Sequence, residues 1–326
     1  MTGSPPRVWV LNLDAEHEFE QLASARTRGR QSVSRASSSE RVAPYLARKG
    51  VRSILEREVP RAARALLAES DLLAGPDGLT DRHGAPVDVE RARGAAGVAW
   101  SPTPTSLQRL SQLGVELPDS PSGDVLARVN ARPFTAALCT ESHLGGLPKR
   151  VLVRREDVLA HLARPSRLGW LVRRPFGAAG RGRRRIHAGS PPADELAWID
   201  AGLRSGPLVV EPFVQITRET TRCAWLSREG ALTIAGPGFQ TTTPTGGWVD
   251  TAPVEARAID DTDDVRLLHA LEVAGRALHA DGYFGPYGID AFWHRPLDGS
   301  PGEALNPLSE INARLTMDWN LPRAGV

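Results

Sequence analysis

Three polar residues near the end of the chain carry the strongest chemical signal. Asp290 lies in GPYGIDAFWHR (285–295), and Glu310 and Asn312 lie in PLSEINAR (307–314). Both segments read as strands, joined through LDGSPGE (297–303) into a hairpin. Facing residues of an antiparallel pair have a constant index sum, so setting Asp290 opposite Glu310 centres the turn on residue 300, inside that loop. Glu310 and Asn312 are two apart and share a face. Three oxygen-bearing side chains therefore converge on one side of one hairpin. Directly opposed carboxylates destabilise a sheet. A hard divalent cation removes that penalty, and two carboxylates with an amide oxygen suit Mg²⁺ held jointly with nucleotide phosphates. The plain alternative is a pair of exposed acids on a solvated face, and Pro307 disturbs the ladder and its register.

Two further segments have the chemistry of a nucleotide site. RRPFGAAGRG (173–182) sets glycines between two predicted strands, where backbone N–H groups can approach an anion closely. Arg174, at the end of the incoming strand, supplies a fixed positive charge for phosphate oxygens. The alternative is an ordinary glycine-rich hairpin beside a solvated run, Arg183, Arg184 and Arg185. Neither GxxxxGK[ST] nor a helix-opening GxGxxG is present, which excludes a P-loop and a Rossmann fingerprint. VVEPFVQITRE (209–219) reads as a buried strand followed by Glu211, proline, an aromatic and a second acid, Glu219. Strand-end backbone with an apolar wall suits a flat purine, and an acid a few residues on suits ribose hydroxyls.

The elements that must position these residues follow from composition and pattern. At 326 residues the chain is about two domains long. Its 41% hydrophobic and 24% charged residues are ordinary for a globular protein. Forty cations against 38 acids leave a net charge of +2, which excludes a strong electrostatic footprint for nucleic acid. Only two of the cations, Lys49 and Lys149, are lysines, so arginine stands here where other chains use lysine. Cys139 and Cys223 cannot build a disulfide framework, the N-terminus is too acidic for a signal peptide, and no window approaches a membrane span. These features predict a cytoplasmic protein.

RVWVLNL (7–13) reads as a buried strand, RTRGRQSVSRASSSER (26–41) as a solvated loop, and 57–74 as helical through Val59, Ala62, Leu66 and Leu67, before a turn at GPDG (75–78). LPDSPSGD (117–124) reads as a linker. Asn130 is the predicted N-cap of the next helix, strands follow at 147–155, 169–176, 183–188 and 207–214, and Thr220–Trp225 pairs with 231–236. The clearest helix is 261–282, with Val265, Leu268, Leu271 and Leu278 on one stripe and Gly282 as its stop.

Taken in order, N130-x-R132, Pro148 before a strand, the strand–glycine loop–strand, E-P-F-V, a long helix, G-I-D and E-I-N-A-R resemble the ATP-grasp superfamily of carboxylate–amine ligases over about residues 125–318. The resemblance implies an α+β ATP-grasp fold behind an N-terminal α/β domain at 1–124. A small subdomain with a glycine-rich flap would span 125–206, and a large subdomain 207–326. It implies ATP and Mg²⁺ as cofactors. Arg132 and Arg174 would contact phosphates, and the loop with Gly177, Gly180 and Gly182 would be the flap. Glu211 and Val214 would hold adenine, Glu219 ribose, and Asp290, Glu310 and Asn312 the metal. Arg314 would lie near the transferring phosphoryl group. The family usually has lysine where Arg132 and Arg174 stand.

The implied activity is ADP-forming ligation of a carboxylate and an amine, both small molecules or one a peptide, with no nucleic-acid or membrane partner and with room for a homodimer. A phosphotransferase or a peptide-modifying ligase on the same scaffold, a non-catalytic nucleotide-binding regulator and an RNA-binding module are the alternatives. Rival catalytic sets are missing: the eight histidines show no HExxH spacing, two distant cysteines make no zinc site, and there is no GxSxG elbow. His187 and His269 read as packing or surface residues, the tryptophans as core anchors, and Trp248 as a residue that could cover a substrate.

Overall fold

The computed structural model describes residues 6–27, 70–75, 78–177, 180–243, 248–254, 258–317 and 319. Most of the Ser/Arg-rich segment, the predicted helical positions Val59, Ala62, Leu66 and Leu67, and the tail from 320 on lie outside them.

Three sheets divide the chain. The first has the order β3 (Gly78–Asp81), β2 (Leu72–Gly75), β1 (Arg7–Val10), β4 (Ala96–Ala99), with β1 parallel to both β2 and β4. Helix α1 (Ala15–Thr27) follows β1, and α2 (Pro104–Gln112) follows β4 behind a Thr103 cap that accepts from Ser106 N–H. The chain leaves β1 for β2 on one side and returns to β4 on the other, so its direction of winding switches between β1 and β4. Residues 72–74, read as the end of a helix, are strand, and 75–78 is the turn of a β2–β3 hairpin. Leu72 and Ala74 are buried, and that alternation of two overrides the helical spacing upstream.

Two short helices, α3 (Gly123–Val129) and α4 (Arg132–Glu141), cross to the second sheet. Asn130 does not cap α4: it closes α3, and its side chain donates to Leu126 O and accepts from Ala313 N–H, which ties the α3–α4 corner to the last strand's end. The second sheet has the order β5 (Arg150–Leu152), β8 (Leu208–Pro212), β6 (Trp170–Arg173), β7 (Arg183–Ile186) and is antiparallel. Helices α5 (Arg155–Leu162) and α6 (Ala193–Ser205) cover one face through Val158, Leu162, Ile199, Val172 and Ile186. Since β8 is an inner strand of this sheet, the boundary expected at 206 moves beyond Pro212.

The third sheet is antiparallel in the order β12 (Trp248–Pro253), β11 (Gly238–Thr242), β9 (Ile216–Leu226), β13 (Gly285–His294), β14 (Ala304–Asn312), with β10 (Leu232–Ile234) also on β9. Helix α7 (Asp261–Ala280) packs on its back. Asp260 caps α7 by accepting from Thr262 N–H, three acids lie in the first turn, and Gly282 ends it with φ near 85°. The buried stripe is Leu267, Ala270, Leu271, Ala274 and Leu278. Val265, placed on that stripe by spacing, is 65% exposed because the helix turns its face one position further round. Trp9, Val98 and Trp100 of the first sheet pack with Cys223, Leu315 and Trp319, which joins the N-terminal unit to the third sheet. No helix among the described residues is long and apolar enough to cross a membrane.

Candidate active site

The β13–β14 register is the expected one where it matters: Gly288 faces Asn312, Ile289 faces Ile311 and Asp290 faces Glu310. Past this point the ladder slips, and Phe292 faces Asn306, so β14 carries two extra residues across Pro307–Ser309. The slip preserves parity and leaves Asp290 and Phe292 on one face. On the neighbouring strands Thr221 faces Asp290, Glu219 faces Phe292, and Gln240 faces Glu219. The inner surface of the third sheet thus presents Glu219, Gln240, Asp290, Glu310 and Asn312 together.

The opposed acids do not touch unpaired. Glu310 Oε1 accepts from Arg132 Nε at 3.1 Å and Oε2 from Arg173 Nη2 at 3.0 Å. Asp290 Oδ1 accepts from Gln240 Nε2 at 3.2 Å, and its Oδ2 from Asn312 Nδ2 at 2.9 Å. Arg314 Nη2 donates to Asn312 Oδ1 at 3.1 Å and to Glu16 Oε1 on α1 at 2.6 Å. Burial would raise the Glu310 carboxyl, but Arg132, Arg173 and Arg314 outweigh it and hold it below the usual glutamate range. Burial likewise opposes the charge of Arg173; Glu310, Glu211 and Asp290 prevail and hold its pKa high. For Arg132 burial prevails over Glu310, with Arg173 as a further repulsion, and its pKa is depressed.

Arg132 is also a staple. Its Nη1 donates to the carbonyls of Arg174 and Gly182, and its Nη2 to that of Gly177, at 2.7–3.3 Å. The base of the glycine loop, Gly177 to Gly182, is thereby tied to Glu310. Gly180 and Gly182 adopt φ of 77° and 68°, a left-handed backbone that favours glycine. Ala178 and Ala179 lie outside the described residues.

Arg174 is a correction. Its guanidinium lies 4.5 Å from the centre of the Trp198 ring and donates to Trp198 O at 3.0 Å, on α6 and away from the acids. Adjacent residues at a strand end point to opposite faces, and Arg173 takes the inward position, 6% exposed. The alternation in WLVR (170–173) carried that information: Trp170 and Val172 are core residues, so Leu171 and Arg173 face the other way. The sequence reading also passed over Lys149, Gln240 and Glu16. Glu211 is buried beside Lys149 and Arg173, at 4.0 and 3.4 Å. Lys149 itself donates to Leu308 O at 3.0 Å. Arg183, dismissed as part of a solvated run, is half-buried: desolvation and the charge of Arg173 depress its pKa, while Glu310, Glu219 and Glu211 act in the other direction. Val214 clusters with Leu147 and Phe292 at the hinge between β8 and β9. A cleft of about 460 Å³ opens beside it, walled by loop 165–168, Pro212–Gln215 and the β13–β14 turn. Glu219 accepts from Thr242 Oγ1 at 3.0 Å. Trp248 donates to Thr251 Oγ1 at 2.8 Å, and residues 244–247 of its loop lie outside the described residues. His187 and His269 are exposed.

No family model matches the sequence. No curated protein matches it either. Solved structures do. N5-carboxyaminoimidazole synthetase from Staphylococcus aureus, complexed with ADP, superposes with a TM-score of 0.51 at 10% identity, over 96% of this chain and 71% of that one. D-alanyl-alanine synthetase A from Vibrio cholerae gives 0.51 at 13% identity, over 97% and 90%. Both overlays take in all three sheets in order. The chain has the ATP-grasp fold. Biotin carboxylase from Campylobacter jejuni, in complex with β,γ-ATP, superposes similarly, at 0.50 and 12% identity over 95% and 65%. In ATP-grasp terms the second and third sheets are the two jaws, and the arginine–carboxylate network lies between them.

The donor set passes a chemical test for a hard cation. Two carboxylates and an amide oxygen are the ligand types Mg²⁺ prefers. Beside them Arg173 Nε and Glu211 Oε2 are buried with no hydrogen-bond partner, as expected of a cleft whose polar walls await a polar ligand.

Proposed function

We propose that the chain is an ATP- and Mg²⁺-dependent, ADP-forming ligase that activates a carboxylate as an acyl phosphate for attack by an amine. The observation that carries this reading is the pairing of Asp290 with Glu310 across β13 and β14, with Asn312 on the same face, beneath Arg132 and Arg173 of the opposite jaw. Bound Mg²⁺ would supply charge neutralisation for the phosphates and keep them in line. The residues to hold it are Asp290, Glu310 and Asn312.

The protein's own part is positioning and electrostatics. Arg173, with its unpartnered Nε, and Arg183 face the phosphates from the small jaw. Arg132 and Arg173 now occupy Glu310, so nucleotide binding exchanges arginine for metal at that carboxylate and leaves both cations to the phosphates. The apolar Leu147–Val214–Phe292 cluster provides a wall for the base, and Glu219 an acceptor for ribose hydroxyls. Arg314 keeps Asn312 oriented by binding its carbonyl oxygen while the amide nitrogen binds Asp290. The glycine loop over the jaw excludes water, which protects an acyl phosphate from hydrolysis.

Thermal melting with ADP or ATP, with and without Mg²⁺, tests the reading. A ligand bound only to the folded state stabilises by about 2.7 kcal/mol at 100 times its Kd. The expected outcome is a Mg²⁺-dependent rise for wild type that Asp290→Asn loses. Absence of a rise with either nucleotide would overturn the proposal. A phosphorylated product formed with no amine requirement would convert it to a phosphotransferase.

A further inference from the structure

The N-terminal unit holds two buried polar atoms without partners, Glu16 Oε2 and Ser101 Oγ. Both lie at the carboxyl end of the first sheet, on the loops that follow β1 and β4. That is the point where the winding direction switches, the place where open α/β sheets leave a crevice for ligands. One side chain holds the two loops together: Asn12 Nδ2 donates to Ser101 O at 2.8 Å, and Asn12 Oδ1 accepts from Ser101 N–H at 3.0 Å. Ser106 Oγ also donates to Ser101 O, at 2.9 Å. Ser101 is fully buried, its main chain is used, and only the hydroxyl remains.

Glu16 sits in the first turn of α1 with its side chain 12% exposed. Its Oε1 takes the 2.6 Å bond from Arg314, the guanidinium that also binds Asn312. Glu16 is therefore one side chain removed from the candidate phosphate site, although 298 residues separate it from Arg314. A carboxylate only accepts hydrogen bonds, so Oε2 calls for a donor. A buried acceptor left empty is costly, and a cationic donor makes the strongest bond to it. A serine hydroxyl can give or take. Together they match a small molecule with a primary ammonium and, close by, an oxygen for Ser101.

Resting on the ligase reading above, we propose that one of the two substrates is of the amino-acid class, and that Glu16, oriented by Arg314, binds its ammonium group with Ser101 as second contact. Because Oε2 is sealed from solvent, the substrate enters while this corner is open and is enclosed as it closes. Burial also makes the site selective. An analogue without N–H donors leaves the carboxylate unpaired and is rejected far more strongly than one that merely lacks a methylene.

The test uses the full chain saturated with ADP and Mg²⁺. Melting is followed with a pool of the common amino acids and then with the same pool N-acetylated. A further rise with the free amino acids and none with the acetylated pool is expected. Glu16→Gln keeps a bond to Arg314 but replaces the charge by an amide; it should weaken the active amino acid at least 10-fold, and Ser101→Ala by a smaller factor. An equal response to both pools, no response to either, or unchanged affinity in Glu16→Gln would overturn the proposal. Should Glu16→Gln fail to fold, the wild-type comparison and Ser101→Ala decide. A response to ADP with none to either pool defeats this inference alone, whereas no response to ADP defeats the ligase reading beneath it.

Discussion

The two faces of the third sheet are built from the same strands and do opposite work. Toward α7, Tyr287, Ile289 and Ile311 close a core with Leu271, Ala274 and Leu278, and Tyr287 Oη donates to Leu271 O at 2.9 Å. Toward the cleft, the residues between them, Asp290, Glu310 and Asn312, meet arginines. Side-chain parity along a strand separates a stabilising surface from a reactive one at a spacing of one residue. The cleft face is not a burden that the apolar face merely offsets. Arg132 and Arg173 are themselves buried, so the acids opposite are part of what holds the jaws together.

That view separates from its rivals by mutation. Glu310→Ala leaves two buried guanidinium groups without their counter-charge and should cost about 3–5 kcal/mol in urea unfolding. A loss under about 1 kcal/mol would mean an ordinary solvated ion pair and would break the comparison. On the other face Leu271→Ala should cost about 2–5 kcal/mol by opening a cavity. Its effect belongs to stability alone, and ADP affinity measured by calorimetry below the melting range should stay at the wild-type value.

Within the small jaw, Arg173→Ala should lower ADP affinity about 10-fold or more, roughly 1.4 kcal/mol, while Arg174→Ala leaves it unchanged. The reverse result would restore Arg174 to the phosphates. The smallest effect is on pH. Glu310 has its native pKa held below the ordinary value near 4.3. Its contribution to stability is therefore full above about pH 4.3 and is lost as pH falls through the lowered native pKa. Glu310→Gln should flatten that part of the acid-unfolding curve, and an unchanged slope would show that the arginines do not perturb Glu310.

Much of this was readable in the chain, and the boundary has physical causes. The Asp290–Glu310 register followed from index arithmetic and a turn-forming loop, and Pro307 announced the slip. Local alternation would have exchanged Arg174 for Arg173, since Trp170 and Val172 already marked the core face. Asn130 was misplaced because its side chain binds Ala313 N–H across 183 residues, a contact that no local cap pattern contains. Glu16 left no trace at all: its role depends on how the first sheet docks on the third through Trp9, Trp100 and Leu315, and short-range spacing carries no record of that docking.

The Arg132 staple has a mechanical side. One guanidinium grips three carbonyls at the root of the glycine loop and one oxygen of Glu310. Loop stiffness and carboxylate occupancy are then two readings of a single variable, and linkage makes the relation run both ways. Whatever draws Arg132 off Glu310 slackens the loop's root. By the same amount, a contact that fastens the loop elsewhere makes that carboxylate easier to free.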